Sequence, residues 1–341
     1  MGKISQSVTA AVAVFCLGFP PAANTAKREK QKVRAEKITG QGPAVLWRYP
    51  KDIATRDLFY GPGGKAHAPH GTFAFDKEDL GGSNPKFDVI DGEGVKWKVK
   101  MGDEARPETV ASRLLWASGY FADEDYFVPV LRVKEMPRLR RGRKYVAPGG
   151  TVYNVRLKRE HDGKKTGAWA WADDPFTGTR EWNGLRVLMA VINNWDLKDE
   201  NNSIYQISGK QPEQIYEVSD LGASFATTGL SWTRHGSRGN LGAYEHSKFL
   251  KVVTADYVSF YTPSRPALDH FPDIPELRRR LGLRWIGREI PRSDARWLGE
   301  LLSRLSPQQI RSAFRAAQYP PDHVEAFSRV LETRIAELRN L

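Results

Sequence analysis

Between residues 86 and 101 apolar and polar positions alternate twice, as KFDVID and VKWKVK, on either side of the turn GEG. Period-two alternation flanking a short glycine-containing turn predicts a β-hairpin. GTFAF (71–75) predicts a strand before it, and YFVPVLRVKEM and KYVAPGGTVYNVRLKRE predict further strands after it. The pattern changes in RPETVASRLLWASGY (106–120), where Val110, Leu114 and Ala117 recur on one helical face. Pro107 suits the first turn of that helix and Gly119 its stop.

Beyond AWAWADDPF (168–176) helical spacing dominates. TREWNGLRVLMAVINN (179–194) carries Trp182, Leu185, Leu188 and Ile192 on one stripe. IYQI and QIYEV read as short strands, and glycine, serine and threonine dominate 223–243, which predicts a mobile segment. Three helices close the chain, SDARWLGELLSRL, SPQQIRSAFRAAQ and DHVEAFSRVLETRIAEL. The last two open with the spacing of a capping box, Ser306 with Gln309 and Asp322 with Glu325. The chain shows no internal repeat. Together these patterns predict an α+β protein with a sheet-rich N-terminal lobe (47–168) and a mainly helical C-terminal lobe (169–341).

Composition adds a core and a charge. Hydrophobic residues make up 40% of the 341, with ten tryptophans, so a buried interior is expected rather than disorder. The net charge of +12 favours anionic partners without naming one. A single cysteine, Cys16, excludes an intramolecular disulfide and a cysteine-based metal cluster. His67 and His70 stand around a proline in HAPH, which favours a plain loop over a zinc site.

Residues 1–26 differ from the rest. One lysine, the apolar run VTAAVAVFCLGF and the small residues of PPAANTA read as a secretory signal peptide, which implies export to the periplasm or cell envelope. A cut after Ala26 leaves Asn24 at the third position back, so an N-terminal anchor or a buried segment stays open as the alternative, and with it a cytoplasmic location. The run is short for a membrane span and no later stretch qualifies, so the mature chain is expected to lack one. KREKQKVRAEK opens a basic linker (27–46).

The chemistry gathers after the helix at 179–194. NNWDLKDENN (193–202) places Asp196, Lys198 and Asn201 in one loop, and Asp220-Leu221-Gly222 follows a strand nineteen residues past Asn201. Upstream, VKWKVK sets Lys100 on a strand and ARPETV sets Glu108 at the opening of a helix; Lys98, on the same strand face, is the alternative to Lys100. GGSNPK (81–86) offers a glycine turn just before the hairpin, with YGPGG (60–64) competing for the same role. Each motif alone is compatible with a solvated loop or a strand-end turn. Their order and setting are not so easily matched.

In that order these motifs resemble the protein-kinase-like superfamily, and most of all the HipA-type serine kinases, whose phosphate loop resembles GGSNPK and whose tryptophan-containing strand resembles VKWKVKM. The resemblance spans about residues 70–225. It implies a two-lobed protein-kinase-like fold that uses ATP and Mg²⁺. It further implies Asp196 as base and Lys198 as its phosphoryl-steadying neighbour, and Asn201 and Asp220 as metal ligands. Lys100 would bind phosphates, oriented by Glu108, and the backbone of Gly81, Gly82 and Ser83 would cover them. Two features depart: the metal motif Asp220-Leu221-Gly222 resembles the eukaryotic Asp-x-Gly more than that of HipA, and Trp195 stands where eukaryotic kinases have arginine, so control by a phosphorylated activation segment is not implied.

The leading expectation is therefore a phosphotransferase using ATP and Mg²⁺ on a protein or small-molecule hydroxyl. The alternatives are an exported pseudokinase that binds nucleotide without catalysis, and a kinase-fold enzyme that transfers another group such as AMP. Nucleic-acid or anionic-surface binding through RLRRGRK (138–144) and LRRRLGLRW (277–285) ranks last, because aromatic residues are sparse among those basic runs.

Overall fold

The computed structural model describes residues 42–82, 84–194, 196–226, 238–261, 278 and 281–341. The signal-peptide reading of 1–26, most of the basic linker, Ser83, Trp195, three residues of the basic run 277–285 and part of the glycine-rich segment 223–243 lie outside the described residues.

After the two-residue strand β1 (Ala44–Val45), the sheet-rich part comprises β2 (Phe73–Asp79), β3 (Lys86–Asp91), β4 (Lys96–Met101), β5 (Asp125–Lys134), β6 (Val146–Ala147) and β7 (Thr151–Arg159). β3 and β4 are the hairpin that the alternation predicts, with Lys86 opposite Lys100 and Ile90 opposite Lys96. The GTFAF strand begins two residues late and runs on to Asp79, with a bulge between Phe75 and Lys77. β4 pairs with β7, β7 with β5, and β5 returns to β2 through a short parallel contact, so five strands close on themselves. Alternation then sorts the side chains. Phe87, Val89, Trp97, Val99 and Leu157 fill one buried cluster, each contributing about 1.5–3 kcal/mol by leaving water. Lys96, Lys98 and Lys100 take the opposite face of β4.

That face meets α1 (Ala105–Ala117), which packs on β5 and β7. The helix stops where expected, at Gly119, whose φ of +92° and close approach to the Arg48 carbonyl leave no room for a side chain. Val110, Leu114 and Ala117 are buried, but they join the core of the helical part rather than the barrel interior. Residues 46–60 seal the outside of this helix. Leu46, Ile53 and Leu58 are buried there, and the Arg113 guanidinium donates to the Phe59 carbonyl at 3.1 Å.

The helical part contains β8 (Lys164–Gly167), α2 (Arg180–Val191), β9 (Asn202–Ile207), β10 (Glu213–Val218), α3 (Leu241–Glu245), β11 (Leu250–Val253), β12 (Tyr257–Phe260), β13 (Ile290–Pro291), α4 (Arg292–Leu302), α5 (Pro307–Ala316) and α6 (Pro321–Arg339). The hairpin β9–β10 sits in a four-stranded sheet of order β1-β10-β9-β8, so β1 pairs here, parallel to β10, and not with the barrel. The α+β division into a sheet-rich and a helical part is thus present. No helix among the described residues is long and apolar enough to cross a membrane.

One capping box forms and one does not. Ser306 accepts from the Gln309 amide while the Gln309 side chain accepts from Ser306 N–H, closing α5 at its start. Asp322 forms no such cap. Pro320 is the N-cap and Pro321 starts α6, two residues earlier than that box requires, which places Asp322 inside the first turn, where its charge meets the positive end of the helix instead.

Candidate active site

The asparagines of 193–202 each have a structural use. Asn193 leaves α2 with φ +49°, a left-handed conformation that asparagine tolerates, and its side-chain amide donates to the Ala226 carbonyl at 2.9 Å. Asn194 Oδ1 accepts the Asp196 N–H at 3.0 Å. Asn201 Nδ2 donates to the Asp196 carbonyl at 2.6 Å, and Asn202 Nδ2 to the Trp169 carbonyl at 3.0 Å. The loop is thereby fixed around Asp196, whose carboxylate lies 3.2 Å from Lys198 Nζ.

The same loop is tied to the end of β10. The Asn201 carbonyl accepts the amides of Ser219, at 2.8 Å, and of Asp220, at 3.3 Å. Asp220 in turn reaches Lys100, with Nζ 3.1 Å from Oδ1. Lys100 is buried and also contacts Glu108 at 2.8 Å and Glu104 at 3.3 Å. Burial works against its ammonium, but Glu108, Asp220 and Glu104 outweigh that and hold its pKa above the ordinary lysine value. Burial likewise disfavours the Asp220 carboxylate, yet Lys100, the Gly222 amide and Arg156 keep it ionised well below the usual aspartate range. Glu108 has a second cationic partner in Arg156, at 3.1 Å, which continues to Asp125 at 3.3 Å.

Lys98 goes elsewhere. Its ammonium is shared between Asp79, at 2.8 Å, and Asp88, at 2.7 Å. Of the two strand lysines, only Lys100 meets the helix glutamate. The structure therefore joins Lys100, Glu108, Asp220, Asn201 and Asp196 into one connected cluster, with Lys198 attached through Asp196.

Gly81 and Gly82 occupy the exposed turn between β2 and β3 and make no hydrogen bond to that cluster among the described residues. They approach it through Lys86, which stands opposite Lys100 in the sheet. The Gly81 amide is already used, on Asp79 Oδ1 at 2.9 Å, and the Arg141 guanidinium takes the carbonyls of Leu80 and Gly82 at 2.9 and 3.0 Å. The competing YGPGG turn packs against Arg113, Tyr126 and Glu124. His67 and His70 pair with different acids, Glu124 and Glu93.

The donor set suits a hard divalent cation. Among the described residues the side-chain bonds of Asp220 fall on Oδ1, its side chain is 42% exposed, and the bond from Asn201 Nδ2 leaves that residue's Oδ1 as an acceptor. Carboxylate and amide oxygens are the ligands such cations take.

Two features escaped the sequence. Glu104 is a third acid on Lys100, one helical turn before Glu108, and the i, i+4 spacing from Lys100 was its available signal. It also fixes Gly222, because a Cβ there would lie 2.6 Å from the Glu104 Cβ. The second is a cavity of about 380 Å³ lined by Lys98, Asp123, Lys158, His161, Lys165 and Tyr205, between the barrel and β8–β9. Its size falls in the range of small-molecule pockets, about 300–1,000 Å³.

No family model and no curated protein matches the chain. Among solved structures it is similar to the Helicobacter pylori proinflammatory kinase CtkA, at 12% identity over 80% of this chain and 95% of that one, with a TM-score of 0.41. It is also similar to the Golgi casein kinase with Mn/ADP bound, at 12% identity, 79% and 74% coverage and a TM-score of 0.33. A second structure of the Golgi casein kinase matches at 10% identity, with 94% and 87% coverage and a TM-score of 0.34. Likenesses this distant leave function to be read from the chain's own residues.

Proposed function

We propose that the chain is a phosphotransferase acting on a hydroxyl group of a protein or small molecule, with a nucleoside triphosphate, ATP by the resemblance, as donor and Mg²⁺ as the expected metal. The observation that carries this reading is the chain of contacts from Glu108 through Lys100 and Asp220 to Asn201 and Asp196. These residues lie on a strand, a helix and two loops; ion pairs join Glu108, Lys100 and Asp220, and hydrogen bonds to backbone carbonyls join Asp220, Asn201 and Asp196. Phosphoryl transfer asks for that arrangement, since catalysis there is mainly positioning and charge neutralisation.

Asp196 would accept the proton of the attacking hydroxyl as its oxygen bonds the terminal phosphorus and the bridging oxygen departs with the nucleoside diphosphate. Lys100, oriented by Glu108, would neutralise phosphate charge, and Lys198 would face the transferred group. Asp220 and Asn201 would hold the divalent cation, which when bound draws charge from the phosphate oxygens. The GGSNPK turn and the strand ending in Lys100 support placing the protein among HipA-type kinases.

The test is incubation of the purified chain with labelled nucleotide and Mg²⁺, followed by mass analysis of protein and candidate acceptors. Added phosphate supports the proposal, and added AMP moves the protein to the nucleotidyl-transfer alternative. Nucleotide bound without any turnover would leave a binding module.

A further inference from the structure

The cavity beside Lys98 is walled by charge, although ligand pockets are ordinarily lined by apolar side chains. Lys158 on β7 stands in the wall, its Nζ donating to Asp123 Oδ2 at 2.8 Å. That is its one hydrogen bond among the described residues, and an ammonium has three donors. Lys165 on β8 lines the same space, and its ammonium makes no hydrogen bond or ion pair among the described residues. Lys98 is committed to Asp79 and Asp88.

Acceptors are scarcer. Asp123 already takes Lys158 on one oxygen, and it shares a second hydrogen bond with Glu217, whose pKa is pushed up by burial and by Asp123 itself. Glu160 and Lys165 both stand at the exposed rim, and Lys158 is the cation set deeper in the wall. The flat element of the wall is aromatic: the rings of His161 and Tyr205 stack with centroids 3.8 Å apart and planes within 14°. A planar, nitrogenous ring with acceptors along one edge matches this lining.

We propose that this cavity holds the base of the nucleotide and selects 6-oxopurines, guanine or hypoxanthine, over adenine. Guanine presents two acceptors, O6 and N7, along the edge where adenine presents an acceptor and the N6 amino donor. Ammonium groups of Lys158 and Lys165 donate to the first edge and meet a donor on the second. The inference rests on the nucleotide-dependent reading above and names the substrate class of that same site.

Calorimetric titration of the full chain with the Mg²⁺ complexes of GTP, ITP and ATP tests it. GTP and ITP are expected to bind at least about tenfold tighter than ATP, which is the worth of one hydrogen bond to a charged group. Lys158→Met is expected to erase the preference. Lys165→Met, at an exposed position whose loss leaves no buried partner, is expected to reduce it and serves if the first variant fails to fold. Tighter binding of ATP by the wild type, or a GTP-to-ATP ratio unchanged in both variants, would overturn the base assignment alone. Failure of all three nucleotides to bind would overturn it together with the nucleotide-dependent reading.

Discussion

The Asp220 amide donates to the Asn201 carbonyl at 3.3 Å, so the two residues proposed as metal ligands are held together through backbone rather than side chains. Their placement therefore survives removal of either side chain. Asp220→Ala is expected to keep its fold, seen as unchanged circular dichroism, while turnover falls about 10²-fold or more, as for the loss of one preorganised charge-stabilising group. Wild-type-like turnover in this variant would remove the metal role.

Lys100 and Lys98 separate cleanly by stability. Lys100→Met leaves Glu104 and Glu108 buried beside a neutral side chain, and breaking such a buried pair costs about 3–5 kcal/mol. Lys98 is 33% exposed, so Lys98→Met is expected to cost no more than about 1 kcal/mol. Urea denaturation of the two variants measures the difference. Equal midpoints would contradict the assignment of the central ion cluster to Lys100.

Gly222→Ala tests the close approach that the Asp-Leu-Gly loop makes to α1. The added Cβ would stand 2.6 Å from the Glu104 Cβ and 2.7 Å from its Oε2, so Glu104 or the loop must move. Overpacking of this kind costs about 1–3 kcal/mol. Both melting temperature and turnover are expected to fall, and an unperturbed variant would show that the approach is not required.

Asp79 gives the fold a defined acid dependence. Burial disfavours its carboxylate, but Lys98, the Gly81 amide and Lys86 lower its pKa to about 2. A carboxylate with a depressed folded pKa stabilises the protein above the unfolded value near 3.8, and that contribution disappears as pH falls through about 2. Asp79→Asn is therefore expected to lose about 1 kcal/mol at neutral pH, the pair being screened by solvent, and to show a flatter stability curve between pH 4 and 2. An identical acid limb in both proteins would contradict it.

How much of this could be read in advance differs by element. The β3–β4 hairpin, α1, α2 and the Ser306 capping box follow from local pattern, because each is decided by residues within one or two turns of each other. Closure of the barrel through β5 and β2 was hidden, since that pairing joins residues about sixty apart by a two-residue parallel contact. β1 was hidden for a similar reason: two residues carry no periodicity, and its partner lies at the start of β10, about 170 residues further on. The Asp322 reading failed because a local motif ignored the preceding proline pair. In the site, the sequence picked out Lys100, Glu108, Asp196, Asn201 and Asp220 by order alone. It missed Glu104, whose spacing from Lys100 runs from a strand to the start of a helix, and Lys158 and Asp123, which pair across thirty-five residues.

The central claim is that one metal-bridged nucleotide sits where Lys100, Asp220 and Asn201 meet. Thermal denaturation of wild type and Asp220→Ala, each with ATP and with GTP, with and without Mg²⁺, tests it most directly, because a ligand of the native state at 100 times its Kd adds about 2.7 kcal/mol of stability. The account predicts a Mg²⁺-dependent rise in melting temperature for the wild type that Asp220→Ala loses. A rise that ignores both Mg²⁺ and the substitution, or no rise with either nucleotide, would contradict it.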